Sequence, residues 1–145
     1  MTGHGASKGV RLRTLHIGFR PDDTFTFAFF HDDLDIPQRT TDTDWHHWAC
    51  VFVRDTREQI VYRDGVEVGR RTCDMPYAGL GGLTLGRGAR SFGRGELDEV
   101  RIWLRPRSGA EIAADRGRRL IGNEPGLAVY YRFDEGTGTT LHDPR

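Results

Sequence analysis

The chain has 145 residues, which is enough for one domain built around a single hydrophobic core. Its 21 basic and 21 acidic residues give a formal net charge of zero, which excludes the single-sign electrostatic field typical of nucleic-acid binding. No apolar run approaches the roughly 20 residues needed to cross a bilayer, so the sequence also predicts no membrane insertion.

The first third of the chain predicts β-strands. Residues 1–8 are polar and glycine-rich, and they predict a flexible arm. Apolar side chains then recur with the period of two that is typical of strands, first at Leu15, Ile17 and Phe19 and then at Phe25, Phe27 and Phe29. The turn residues Pro21-Asp22-Asp23 separate the two runs.

An acidic loop is predicted over residues 31–37. It contains Asp32, Asp33 and Asp35, which place three oxygen donors close together in the chain. Flexible loops rich in carboxylates are the sites that Ca²⁺ prefers, so these three aspartates are candidate calcium ligands. The alternative is that they are solvated loop acids or turn caps.

Two consecutive segments predict the centre of the fold. Residues 45–53 are aromatic or β-branched on both alternating faces, which indicates a central strand buried on its two sides. Residues 60–69 place Asp64-Gly65 between two apolar runs, which predicts a hairpin with a two-residue type I′ turn.

The two cysteines test this arrangement of strands. The predicted register puts Cys50 opposite Arg63, and folding back through the hairpin puts Cys73 near Thr56. The two Cα atoms would then be separated by more than the roughly 7 Å that a disulfide can bridge. The sequence therefore predicts two free thiols.

A strand over residues 96–104 provides a candidate binding surface. Val100, Ile102 and Leu104 share one face, whereas Arg101 and Trp103 lie on the polar face. An exposed tryptophan beside charged residues is typical of surfaces that stack on sugars or dock partners. Packing of the following helix across Trp103 is the alternative.

One helix and one further strand complete the chain. Ser108 and Glu111 fit a capping box, which predicts a helix that begins there and extends to about Leu120. The last strand alternates Leu127, Val129, Tyr131 and Phe133 on one face, and four apolar side chains on one face must be buried against a sheet.

Several of these segments resemble one known family in sequence and in order. They are WHHWACVFV at 45–53, YRDGVEVG at 62–69, LTLGRG at 83–88 and FGRGELDEVRIWLRPRSGAEI at 92–112. Together they resemble the laminin-G-like (LamG) jelly rolls of the concanavalin A-like lectin and glucanase superfamily. The resemblance implies an all-β fold, an antiparallel β-sandwich with one short helix near the C-terminus.

The superfamily includes glycosidases, but this sequence predicts no enzyme. The laminarinase-like members place catalytic carboxylates on one face of a strand with a Glu-x-Asp-x-Glu pattern. In this chain Glu96 and Asp98 share a face, but the third position of that face is Val100. A glycosidase needs a pair of carboxyl groups flanking the scissile bond, and no second motif with suitable spacing supplies the missing acid.

Compared with the family, the chain resembles a single domain, residues 1–145, without the opening strands, and a segment that commonly opens a domain closes this one at 126–136. That segment is a candidate permuted strand or a strand donated to a neighbouring copy.

Two candidate functions follow from these features. The first is a structural or adhesive protomer at the cell surface that assembles into a homo-oligomer or filament through Leu127, Val129, Tyr131 and Phe133. The second is an extracellular carbohydrate- or protein-binding module, with Ca²⁺ as a candidate cofactor.

Overall fold

A computed structural model of the protein describes residues 2–4, 14–86 and 94–145. In these ranges the regular elements are, in chain order, β1 Thr2–His4, β2 Thr14–Phe19, β3 Thr24–Ala28, β4 Asp33–Arg39, β5 Trp48–Val53, β6 Glu58–Arg63, β7 Val66–Thr72, β8 Leu83–Thr84, β9 Val100–Trp103, α1 Gly109–Asp115 and β10 Leu127–Tyr131. Strand β1 occupies part of the predicted flexible arm, and the remainder of that arm lies outside the described residues.

Two antiparallel sheets form the body of the fold. One has the order β4-β3-β2-β1-β8 and the other has the order β5-β6-β7. Because side chains alternate between the faces of a strand, each sheet presents one apolar face to the other. The core between them consists of Phe25, Phe27, Phe29, Leu34, Ile36, Val61 and Cys73. This arrangement confirms the predicted all-β sandwich.

The three-stranded sheet is also covered on its second face. Val51, Ile60 and Tyr62 form a cluster there with Ile112 of helix α1. The two-sided packing predicted for residues 45–53 is found in β5, residues 48–53, but not at Trp45, which precedes the strand and is exposed, and the predicted central position is wrong. Strand β6 is in the middle of this sheet and β5 is at its edge among the described strands, because burial of both faces requires layers above and below, not a strand on each side.

The Asp64-Gly65 hairpin is confirmed. Both residues have positive φ, 53° and 84°, as a type I′ turn requires, and Arg63 pairs directly with Val66. The register of β5 against β6 differs from the prediction by two residues. Trp48 lies opposite Arg63, because the turn at 54–57 sets Val53 opposite Glu58.

The corrected register places Cys50 opposite Val61, whereas the N–H of Cys73 donates to the carbonyl of Arg57 at the far end of the sheet. Both cysteines are free, as predicted.

The acidic loop predicted at 31–37 is wrong, because most of it is strand β4. Phe30 and His31 have φ of 58° and 66°, and they make a tight turn that pairs Ala28 with Asp33. Positive φ at two bulky residues is uncommon, so this turn has no glycine or asparagine signal in the sequence. Pro37 fits because β4 is an edge strand of its sheet among the described strands.

Strand β9 is shorter than predicted, because Glu99 has a φ of 52° and the strand begins at Val100. Helix α1 begins as predicted, with Ser108 and Glu111 forming both hydrogen bonds of a capping box. It ends at Asp115 and does not reach Leu120, since Gly117 is a weak helix former and Arg118 N–H turns back to the Asp115 carbonyl.

Strand β10 pairs with β9 in the same chain, and a register shift between Leu127 and Val129 interrupts its alternation. As a result Leu127 and Tyr130 pack in the same cluster, together with Leu120 and, partly buried, Trp103. Leu127, Val129, Tyr131 and Phe133 were predicted to share one buried face, but the register shift places Leu127 on a different face from Val129 and Tyr131. Phe133 lies beyond the end of β10 with a φ of 57°.

Candidate functional site

An open surface depression of about 420 Å³ brings together three segments that are distant in the chain. It is lined by Trp45, Glu96, Leu97, Asp98, Phe133 and Asp134. Two aromatic rings and three carboxylates in one concave surface can provide both an apolar platform and hydrogen-bond acceptors for a polar ligand.

Trp45 lies three residues before β5 and is 65% exposed, the most exposed aromatic residue in the described part of the chain. The residue after it is fixed to the hairpin. His46 Nδ1 lies 2.8 Å from Asp64 Oδ2, and His46 Nε2 lies 2.7 Å from Asp42 Oδ1. The main-chain N–H of His47 donates to Asp64 Oδ1 over 2.9 Å. These bonds hold the backbone on the C-terminal side of Trp45 in one place.

The carboxylate partners also set the protonation of His46. Hydrogen bonds with Asp64 and then Asp42 raise the pKa of the His46 imidazole above its ordinary value. Arg63 also donates to Asp42 Oδ2 over 3.1 Å. The loop that carries Trp45 is therefore attached to β6 and to the Asp64-Gly65 turn by a charged cluster.

Phe133 and Asp134 follow β10, and because Tyr131 pairs with Val100 in this antiparallel sheet, they lie beside the residues that precede β9. The Phe133 ring meets the ring of Tyr131 edge-on with centroids 6.4 Å apart. Asp134 forms an ion pair with Arg119, which also approaches Glu99 Oε1 at 3.9 Å. A non-glycine residue with positive φ costs free energy, so the left-handed conformation of Phe133 indicates that its surroundings hold it there.

The third segment, residues 96–98, supplies two carboxylates to the depression. Glu96 and Asp98 are both exposed, and Asp98 Oδ1 accepts a hydrogen bond from the N–H of Glu99 over 2.9 Å. Leu97, which is 49% exposed, extends the apolar part of the surface. The carboxylates are available to a ligand approaching from solvent.

The predicted ligand residues Arg101 and Trp103 lie elsewhere and are covered. The Arg101 side chain is 8% exposed, pairs with Glu99 at 2.6 Å and donates to the main-chain carbonyls of Asp115 and Arg118. The guanidinium of Arg107 lies 3.9 Å from the centre of the Trp103 ring. The segment around α1 thus covers this face of β9, so the alternative of covered packing describes Trp103 better than an exposed stacking surface does.

The candidate calcium ligands are paired with arginines from other strands. Asp32 is fully buried, where its Oδ1 lies 2.5 Å from Arg71 and its Oδ2 accepts the N–H of Asp74. Asp33 and Asp35 both bind Arg20, at 3.3 and 2.8 Å. Among residues 14–86 and 94–145 no group of three or more acidic, histidine or cysteine side chains is placed to hold a metal ion, so these three aspartates do not converge on one.

The sequence does not indicate the two aromatic residues of the depression as a pair. Trp45 falls in the run predicted as a buried strand, and Phe133 falls in the segment predicted as an assembly face. The polar stretch 41–44 directly before Trp45 is a signal that the strand begins later than the aromatic run. No local signal links Trp45 to Phe133, because they meet only in the folded chain.

Comparisons with known proteins agree with the fold. The family model Laminin_G_3, described as the concanavalin A-like lectin/glucanases superfamily, matches residues 2–113. A crystal structure of a "putative carbohydrate binding protein" from Bacteroides ovatus ATCC 8483 superposes with a TM-score of 0.69 at 21% sequence identity. The alignment covers 99% of this chain and 44% of that one, so the chain spans less than half the length of this neighbour.

The search of curated proteins found no significant match. Within the described residues, no helix has the length and apolar character needed to cross a membrane. The family match covers well over half of the sequence and contains both sheets of the sandwich. The chain therefore belongs to the Laminin_G_3 family of the concanavalin A-like lectin/glucanases superfamily.

Proposed function

We propose that this protein is a non-catalytic, lectin-like module that binds carbohydrate in the depression between Trp45 and Phe133. The observation that carries the proposal is the exposure of Trp45, 65%, in a concave surface that also contains a second aromatic ring and carboxylates. Sugar rings have apolar C–H faces that stack on aromatic side chains, while their hydroxyl groups donate hydrogen bonds to carboxylate oxygens.

The exposure of the acids favours binding over hydrolysis. A glycosidase needs a general acid whose pKa is raised by an apolar, water-excluding environment. Glu96, Asp98 and Asp134 are all exposed to solvent, and Asp134 already pairs with Arg119. These three carboxylates are therefore suited to accept hydrogen bonds from a ligand rather than to transfer protons.

The comparisons support the same proposal. The superfamily contains lectins, and the Bacteroides neighbour is described by its printed name as a carbohydrate-binding protein. At 21% identity that likeness supports the fold alone, so the choice of the depression rests on the residues of this chain. An extracellular or cell-surface location is part of the proposal, because the glycans that a lectin-like module would bind are found there.

A glycan-binding assay on one pair of variants tests the proposal. We expect wild-type protein to bind at least one oligosaccharide in a panel of soluble glycans, and Trp45→Ala to weaken that binding about tenfold or more, as removal of a central aromatic anchor typically does. Phe30→Ala is the matched control. Phe30 is an exposed aromatic, 39%, in the β3–β4 turn, which lies at the opposite end of the sandwich from Trp48, whose ring stacks on Phe25.

The control should bind within about twofold of wild type, and both variants should keep the wild-type melting temperature because surface substitutions usually change stability little. Absence of binding across the panel, or equal binding by Trp45→Ala and wild type, would reject the proposal.

Self-assembly is a second candidate function, and one observation favours it. Strands β9 and β10 form a separate two-stranded sheet, and among the described strands neither outer edge of that sheet is paired. Unpaired strand edges are templates for pairing with another chain. Because β10 pairs with β9 of its own chain, a filament would require edge pairing or exchange of residues 127–131. Light scattering during size-exclusion chromatography tests this, and a monomer at high concentration would reject it.

A further inference from the structure

We infer that the depression selects glycans without acidic groups. The inference rests on the proposed function and specifies the ligand class of the same site. Three of the six residues that line the depression are acidic, namely Glu96, Asp98 and Asp134, and no basic side chain of the described part of the chain lines it. The part of this surface formed by the described residues is therefore negative.

Two arginines of the described residues close to this segment, Arg119 and Arg101, are already engaged. Arg119 pairs with Asp134 and also approaches Glu99. Arg101 pairs with Glu99 and is buried, where it donates to two main-chain carbonyls. Recognition of a sugar carboxylate or sulfate usually uses an arginine that can donate two parallel hydrogen bonds. Neither arginine is free to do so without breaking an ion pair of the fold.

The aromatic residues act in the same direction as the carboxylates. The face of an aromatic ring carries a partial negative charge, so Trp45 and Phe133 attract C–H groups and repel anions. This contribution is independent of the acids. A neutral sugar satisfies both parts of the site, since its C–H face meets a ring and its hydroxyls donate to carboxylates that can only accept.

The charge on Glu96 and Asp98 is the part of the site that can be changed without altering the fold. Both side chains are exposed, and the hydrogen bond that Asp98 accepts from Glu99 can also be accepted by an asparagine. The double variant Glu96→Gln and Asp98→Asn therefore removes two negative charges, keeps the shape of the site, and leaves one acceptor oxygen on each side chain.

A second variant controls for the change of net charge. Asp55 is an exposed acid in the turn that follows β5, so the six residues of β5 separate it from the end of the strand near Trp45. Asp55→Asn changes a distant carboxylate to its amide. It should leave both the affinity and the selectivity of the depression at the wild-type values.

The experiment compares hexose oligomers with hexuronate oligomers by isothermal titration calorimetry. Gluco-, manno- and galacto-oligosaccharides are each paired with the corresponding uronate, which carries a carboxylate at C6 in place of a primary alcohol. We expect wild-type protein to bind the best hexose oligomer about tenfold more tightly than its uronate, as repulsion by two nearby charges in a water-exposed site predicts. The ratio should fall to within about twofold in Glu96→Gln/Asp98→Asn and should stay at the wild-type value in Asp55→Asn.

Salt provides an independent readout. The ratio in wild-type protein should shrink between 0.05 and 1 M NaCl, because the screening length falls to about 3 Å at 1 M. Equal or tighter binding of a uronate by wild-type protein, or a ratio that the double variant leaves unchanged, would overturn the inference and leave the proposed function intact. Absence of binding to both classes would reject the proposed function and the inference with it.

Discussion

Two acidic regions of this molecule have opposite environments. Residues 32–35 hold three aspartates within four positions, yet Asp32 is buried against Arg71, and Asp33 and Asp35 share Arg20. Residues 96–98 and 134 are spread over the chain, yet their carboxylates line one open depression beside two aromatic rings. Arginines from other strands pair with all three acids of the first region, whereas in the second region Asp134 pairs with Arg119 but Glu96 and Asp98 form no ion pair among the described residues.

The two tryptophans that bear on function show a similar contrast. The polar face of its strand left Trp103 either exposed or covered by the following helix, and in the fold Arg107 lies over its ring and the Leu120 cluster packs against it. Trp45 was expected inside a strand, but nothing in the described part of the chain buries it beyond about a third of its surface. For both tryptophans, the exposure of the ring depends on whether a later segment of the chain packs over it.

The largest expected effect concerns the buried pair of Asp32 and Arg71. We expect Arg71→Met to lower the free energy of unfolding by about 3 kcal/mol, because it leaves the fully buried Asp32 carboxylate without its cation while keeping most of the arginine stem. Denaturation in urea measures the loss. Asp32→Asn introduced in the same protein should recover part of it, since a neutral side chain no longer needs a counterion.

The neighbouring residue in β7 is the matched control for that experiment. Arg70 pairs with Glu58 and Glu67 at the surface, so Arg70→Met should have a much smaller effect on the free energy of unfolding. Glu96→Gln in the depression should have none, because the side chain is exposed to solvent. If Arg71→Met cost no more than Arg70→Met, the contrast between the two acidic regions would be wrong.

Local signals were sufficient for the parts of the fold that depend on neighbouring residues. Asp64-Gly65 adopts the predicted turn because both residues tolerate positive φ, and Ser108 begins α1 because its side chain and that of Glu111 reach each other's main-chain N–H groups. The Phe30-His31 turn has no such signal. It exists because burial of strands β3 and β4 in the sandwich outweighs the local cost of two bulky residues at positive φ.

The candidate site could not be predicted for a related reason. Trp45 and Phe133 are separated by most of the sequence, and the register shift in β10 that follows Leu127 changes which side chains share a face beyond it. A strict alternation would have grouped Phe133 with Leu127 in the core. The pairing of β10 with β9 contains one extra residue between Leu127 and Val129, which the hydrophobic pattern does not reveal. That residue alone changes which side chains of β10 are buried.

A smaller effect on the free energy of unfolding is expected from His46, which pairs with Asp64 and Asp42 beside the depression. Hydrogen bonds to Asp64 and Asp42 raise the pKa of His46 above its ordinary value of 6.5. A raised pKa in the folded state means that protonated His46 stabilises the fold fully below pH 6.5, and that this stabilisation is lost as pH rises through the higher folded value. Arg63 faces the same cluster with its Nη2 2.7 Å from His46 Nε2, and its positive charge lowers the pKa of His46 in part.

The free energy of unfolding should therefore fall more steeply in wild-type protein than in His46→Gln as pH rises above about 6.5. The difference between the two proteins is the quantity to measure, because burial lowers the pKa of His47 and its titration acts in the opposite direction. Trp45 fluorescence in the native state should follow the same pH dependence if the cluster holds its loop. Parallel pH profiles for the two proteins would contradict the role assigned to His46.

The smallest expected effect is that of calcium, and it bears most directly on the comparison of the two acidic regions. A cation that binds only the folded state raises the melting temperature by mass action. Asp33 and Asp35 already share the guanidinium of Arg20, so Ca²⁺ would have to displace an arginine to bind them. We expect wild-type melting curves in EDTA and in millimolar Ca²⁺ to superimpose.

A calcium-dependent shift in melting temperature that disappears in Asp33→Ala/Asp35→Ala would show that the arginine pairs do not close this region to ligands. If a shift survived that variant but disappeared in Glu96→Gln/Asp98→Asn, the cation would bind in the depression, where Glu96 and Asp98 have no arginine partner among the described residues.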